Sequence, residues 1–260
     1  RHGNMYTKEA HDYFQRLQFK NLLGRFDVEA DSNDVEEYFK EITEKAEIEQ
    51  VFAEAMKAKL VGVGISEDAG NVLPLFAHES GYGRISLAYD REKIYTIPAD
   101  MEVTMDYLFG KLTELAKKVD TFALCNLKKY LSLISVEKEE HCFDPILAAY
   151  LLNPLKNDYD FEDIAREQLN LIIDEKADEK TKSCYEAYTA FASVEILKKK
   201  LDETKMKKLF DEIEMPLLFT LYDMEHAGVK IEADALKTYG EQLGSKIVEL
   251  EKNIMTKQER

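Results

Sequence analysis

An α/β fold with a helical C-terminal end is what this sequence predicts, and three observations predict it. Residues 60–98 hold several short apolar runs separated by turn-prone residues. Residues 105–125 pass from helical periodicity to a short strand-like run. From Asp144 onward the apolar spacing is helical almost throughout.

In chain order, residues 5–24 read as an amphipathic helix with Tyr13, Phe14, Leu17 and Leu22 among its apolar positions. The polar run DVEADSND at 27–34 is turn-prone and marks a boundary. Residues 38–43 read as a short strand. Residues 44–58 read as a helix presenting Ile48, Val51, Phe52 and Ala55 on one face. LVGVGIS at 60–66 has the composition of a buried strand, and 71–77, 84–89 and 93–98 are further strands, the last two joined at Asp90-Arg91-Glu92. Residues 105–117 are helical and 121–125 form a short strand. Helices follow at 144–153, 160–168, 178–201, 205–227 and 233–257. Gly228 suits a helix stop, because glycine takes a left-handed backbone without a Cβ penalty. The Val229-Lys230-Ile231 that follows is β-prone.

Composition narrows the function. The 260 residues suffice for one large domain and an appendage, and 45% hydrophobic content allows a core. No apolar run reaches the length of a membrane span. The polar start Arg1-His2-Gly3-Asn4 carries no signal-peptide pattern and reads as an excision point. Cys125, Cys142 and Cys184 are widely spaced, form no CxxC pair and read as reduced, partly buried thiols of a cytoplasmic protein. The five histidines lack zinc-site spacing. With 35 basic and 51 acidic residues the formal charge is −16, which opposes binding to a polyanion. Lys198, Lys199, Lys200, Lys205, Lys207 and Lys208 form a basic cluster that reads either as a phosphate contact or, more simply, as a solvated helix end. Asp160, Glu162 and Asp163 sit at a helix start, where capping explains them, and Asp144 precedes Pro145 at another. No P-loop, nucleophile elbow or Cys–His signature is present. Gly62-Val63-Gly64 and Gly81-Tyr82-Gly83 are explained by strand packing or a turn.

Several blocks carry a specific resemblance. Glu214-Met215-Pro216-Leu217 followed by Met224-Glu225-x-x-Gly228-Val229-x-Ile231 resembles the entry to the thumb of family A DNA polymerases, the bacterial DNA polymerase I type. FDPILAAYLLNP at 143–154 is similar to the helix after that family's second exonuclease motif, and YDFEDIA at 159–165 to the next helix start. LQFKNLL at 17–23 resembles the segment leaving the 5′ nuclease region. The blocks fall in the family's order. The resemblance implies a ribonuclease-H-like 3′–5′ exonuclease fold, a mixed sheet with flanking helices, plus a C-terminal helical pair from the thumb. It divides the chain into a linker helix (1–31), an exonuclease-like domain (32–204) and the first thumb helices (205–260). The family's palm and fingers fall beyond residue 260.

The family's exonuclease holds two divalent metals with carboxylates from three motifs, because hard cations need oxygen ligands. At the first, an Asp-x-Glu, this chain has Gly64 and Ser66. At the second, Asn126-Leu127-Lys128 is retained but Tyr130 stands at the Asp position. At the third, a Tyr and an Asp four residues later are replaced by Ala187 and Phe191. The resemblance therefore implies a vestigial site with no metal and no cofactor in this segment, magnesium being expected only for the parent polymerase. The implied role is structural, within a parent that replicates and repairs DNA in the bacterial cytoplasm at the nucleoid. DNA is contacted through the parent and weakly or not at all by this acidic segment. The expected partners are the other domains of the same polypeptide, with no membrane. Two alternatives stay open: an active exonuclease using displaced ligands such as Glu67, Asp68 and Asp120, and an acidic docking module.

Overall fold

The apolar run Leu60–Ser66 becomes β2, around which the sheet is organised. The computed structural model of the chain describes residues 13–14, 34–66, 81–137, 139–156, 159–174 and 176–258. The strands are β1 (Phe39–Glu41), β2, β3 (Arg84–Asp90), β4 (Lys93–Pro98), β5 (Thr121–Leu124) and β6 (Cys142–Phe143). The helices are α1 (Lys45–Ala55), α2 (Met105–Lys118), α3 (Pro145–Leu152), α4 (Phe161–Leu169), α5 (Glu179–Glu203), α6 (Met215–Ala227) and α7 (Ala233–Gln258). The strands lie in the order β1-β4-β3-β2-β5-β6. β2, β3 and β4 form an antiparallel meander, while β5 runs parallel to β2, β6 to β5 and β1 to β4. This is the mixed sheet with flanking helices that the resemblance implies.

Local chemistry sets the element boundaries. Four helices start at side chains that accept a free backbone N–H, as N-caps do. Thr104 accepts from Tyr107 N, Asp144 from Ile146 N and Leu147 N, Asp160 from Asp163 N, and Asp178 from Thr181 N. The β3–β4 hairpin turns at Arg91-Glu92, where Asp90 Oδ1 accepts the Glu92 N–H at 3.1 Å. Alternation along β2 sends Val61, Val63 and Ile65 into the main core, which also holds Ile48, Val51 and Phe52 of α1 and Leu108 and Leu112 of α2. The opposite face carries Gly62, Gly64 and Ser66 and is covered by α5.

Two expectations change. The helix expected over 205–227 is interrupted: Lys207–Leu209 runs into a π-helical turn, Phe210–Glu214, before α6. Pro216 lacks an N–H and its ring crowds the carbonyl four residues back, so the wider turn accommodates it. Val229-Lys230-Ile231 forms no strand, since no neighbouring strand offers it a ladder. Gly228 does end α6, with φ +66° and its N–H on Met224 O at 3.1 Å. The strand expected at 71–77 lies outside the described residues, as does the helix at 5–24 apart from Tyr13 and Phe14. The chain divides into two units, Arg1–Phe219 and Thr220–Arg260. Cys125, Cys142 and Cys184 are all buried and free. Among the described residues no helix is long and apolar enough to cross a membrane.

Candidate functional site

The site begins with the two glycines of β2. α5 runs antiparallel to this strand, its successive turns at Ser183, Ala187 and Phe191 stepping from Gly64 to Gly62. The registers match because four helical residues rise ~6 Å and two strand residues ~6.6 Å. A Cβ added at Gly62 would lie under 3.0 Å from Ala187 O, Phe191 N and Phe191 Cβ. At Gly64 it would lie under 3.0 Å from Ser183 O, 3.0 Å from Ala187 N and 3.2 Å from Glu186 Cβ. The helix backbone thus rests on the strand backbone. Small residues on the sheet-facing side of α5 permit this: Ser183, Ala187 and Ala190 are all buried. The buried Ser183 Oγ and Ser86 Oγ, 2.8 Å apart, join α5 to β3.

The other motif positions gather around the end of β2. Asn126 turns the chain after β5 with φ 58°. The 3₁₀ turn Leu127–Tyr130 then buries Tyr130, whose hydroxyl donates to Ile65 O at 3.4 Å. Its ring lies 5.7 Å from that of Tyr82, with Lys129 Nζ over both. Beneath this turn the buried Asp144 carboxyl accepts from Asn126 N (3.2 Å), Leu127 N (2.8 Å), Ile146 N (2.9 Å) and Leu147 N (3.4 Å). Burial pushes Asp144 up to about 6, against these hydrogen bonds. Asp144 therefore ties the second motif to the start of α3, a wider part than its expected helix cap.

The expected positions are only partly brought together. Gly64, Ser66, Ala187 and Tyr130 surround the last residues of β2. Phe191 sits one step away, beside Gly62, partly buried with its ring 6.5 Å from Tyr188. Ser66 Oγ is buried without a hydrogen-bond partner among the described residues. Glu67 and Asp68 lie outside the described residues. Asp120 is exposed at the start of β5, which pairs with the start of β2, roughly 20 Å along the strand from Ser66. This corrects the displaced-ligand reading as far as Asp120 is concerned. A 560 Å³ cavity lined by Asp120, His141, Phe143 and Lys198 opens at that same end, away from the motif positions.

One residue escaped the sequence reading. Glu186 Oε2 accepts the Ile65 N–H at 3.1 Å, so Ile65 is held by Glu186 on one side and Tyr130 on the other. Burial pushes the Glu186 carboxyl up to about 8, with Glu162 adding to the rise and Lys129 opposing it. Glu186 immediately precedes Ala187, so a scan at the motif's four-residue spacing steps over it. The clusters set aside on sequence resolve into local contacts, only Asp160 of the acidic trio acting as the expected cap. Asp160 caps α4, and Asp163 pairs with Lys156 and Arg166. Lys199, Lys207 and Lys208 pair along their helices with Glu203, Asp211 and Glu212.

The implied metal pair does not fit these residues. The first ligand position has no room for a side chain, and a serine, a tyrosine and a phenylalanine occupy the others. Among the described residues no three His, Cys, Asp or Glu side chains are grouped to hold a metal ion.

No family model matches the chain. It is similar to DNA polymerase I of Bacillus subtilis, 32% identical over 175 residues, covering 62% of this chain and 20% of that protein. DNA polymerase I of Caldicellulosiruptor bescii is 31% identical over 155 residues, with 55% and 17% covered. The chain thus spans about a fifth of the length of the curated relatives it matches. Among solved structures, the POL domain of Pol1 from M. smegmatis, in complex with DNA primer-template and dNTP, superposes with TM-score 0.62 at 17% identity over 81% of this chain and 36% of that one. The catalytic core of RRP6 from Trypanosoma brucei superposes with TM-score 0.52 at 13% identity over 69% of this chain and 51% of that one. These likenesses show a ribonuclease-H-like exonuclease fold, and the resemblance to bacterial DNA polymerase I extends over more than half of the chain.

Proposed function

We propose that this chain, related to bacterial DNA polymerase I, is the part of such a polymerase that carries a non-catalytic 3′–5′ exonuclease domain. In this reading residues 1–31 lead in from the 5′ nuclease region, 32–204 form the vestigial domain and 205–260 open the thumb. The parent adds nucleotides to DNA in replication and repair, uses magnesium there and works in the bacterial cytoplasm at the nucleoid. This segment contributes scaffold, joining modules of one polypeptide. Its charge of −16 favours that role over direct DNA contact.

The observation that carries the reading is the seating of the α5 backbone on Gly62 and Gly64. Metal-dependent trimming needs an open cleft at the end of this strand, with carboxylates pointing into it. Here the same space is filled by helix backbone, by Tyr130 and by the Glu186–Ile65 bond. Burial also favours the neutral form of the Glu186 carboxyl, which is spent on the Ile65 N–H.

The test is a 3′-end degradation assay on labelled single-stranded DNA with magnesium and with manganese. The expected result is no trimming above a no-metal control. Metal-dependent trimming that is lost in Glu186→Gln or Glu67→Ala would establish the displaced-ligand enzyme instead.

A further inference from the structure

No further inference is drawn: the strongest candidate, the 560 Å³ cavity at the start of β5 lined by Asp120, Glu139, Glu140, Lys198, Phe143 and Phe210, mixes charges of both signs with aromatic surface so that its chemistry selects no single ligand, and nothing in the structure shows what covers it.

Discussion

Replacing Gly62 by alanine tests the closed site through the sign of a stability change. Glycine within a strand is ordinarily worse than alanine by about 0.5–1 kcal/mol, since the unfolded chain loses more freedom. In open space Gly62→Ala would therefore stabilise. Here the new methyl meets backbone: Ala187 O and Phe191 N under 3.0 Å away, with ordinary contact beginning at 3.4 Å. Backbone does not rotate aside as a side-chain tip does, so α5 must lift from β2 along a seam of buried small residues. Overpacking of a tight core costs about 1–3 kcal/mol, and a clash with main chain belongs at the upper end. After the intrinsic gain is offset, the expected net loss is about 2 kcal/mol. For a unit of this size that lowers Tm by about 4–8 °C. The chain has no tryptophan, so urea unfolding is followed by far-UV circular dichroism and tyrosine fluorescence. Gly110→Ala in α2 is the control: nothing lies within 4 Å of its Cβ position, and it should stabilise by about 0.8–1 kcal/mol as helix propensity dictates. If Gly62→Ala matches the wild type or exceeds it while Gly110→Ala shows its gain, the helix does not rest on the strand and the argument against a working cleft fails.

Three further expectations follow from the same site. Phe191→Asp should cost about 1–3 kcal/mol, by burying part of a carboxyl without a partner, and should restore no 3′ trimming; denaturant titration and the end-labelled DNA assay check the two halves. Asp144→Ala removes a helix cap and the acceptor of four backbone N–H groups, so it should destabilise by about 3 kcal/mol, with Asp144→Asn costing visibly less in the same titration. Glu186, with an ordinary carboxyl value of 4.5, is raised to about 8 in the fold, so the folded state binds the extra proton. Its contribution is full below 4.5 and is lost as pH rises through 8, at a slope of up to about 1.4 kcal/mol per pH unit. Stability of Glu186→Gln relative to the wild type should therefore climb between pH 5 and 8; a pH-independent difference would contradict the buried placement of this carboxyl.

Much of the first unit was legible because its signals are local. The buried run at 60–66 and the hairpin at Asp90-Arg91-Glu92 declare themselves by composition. Asp144 and Asp160 announce helix starts through the donors they satisfy. β6 was not legible, since two residues show no alternation and Cys142-Phe143 becomes a strand only by pairing with Phe122 and Ala123. The π turn was hidden in a segment whose periodicity stays helical on both sides. At the site, the resemblance named candidate positions but not their spatial register. Which turn of α5 meets which glycine depends on how helix and strand slide past one another, and no local pattern encodes that. Hence Phe191 faces Gly62 rather than Gly64, and Glu186 is found only through its bond to Ile65.

The lateral margins of the sheet have a consequence for solution behaviour. Among the described residues the outermost strands are β1 and β6, three and two residues long, and β1 carries Lys40 and Glu41. Strands this brief, one of them charged, give an incoming chain too few free amide and carbonyl groups for cross-β templating. The long apolar strands that would make good amyloid seeds, β2 and β3, are sandwiched between neighbours on both sides. The described strands therefore offer no edge for fibril growth by sheet extension while the fold persists, and recruiting β2 or β3 into aggregate should first require unfolding.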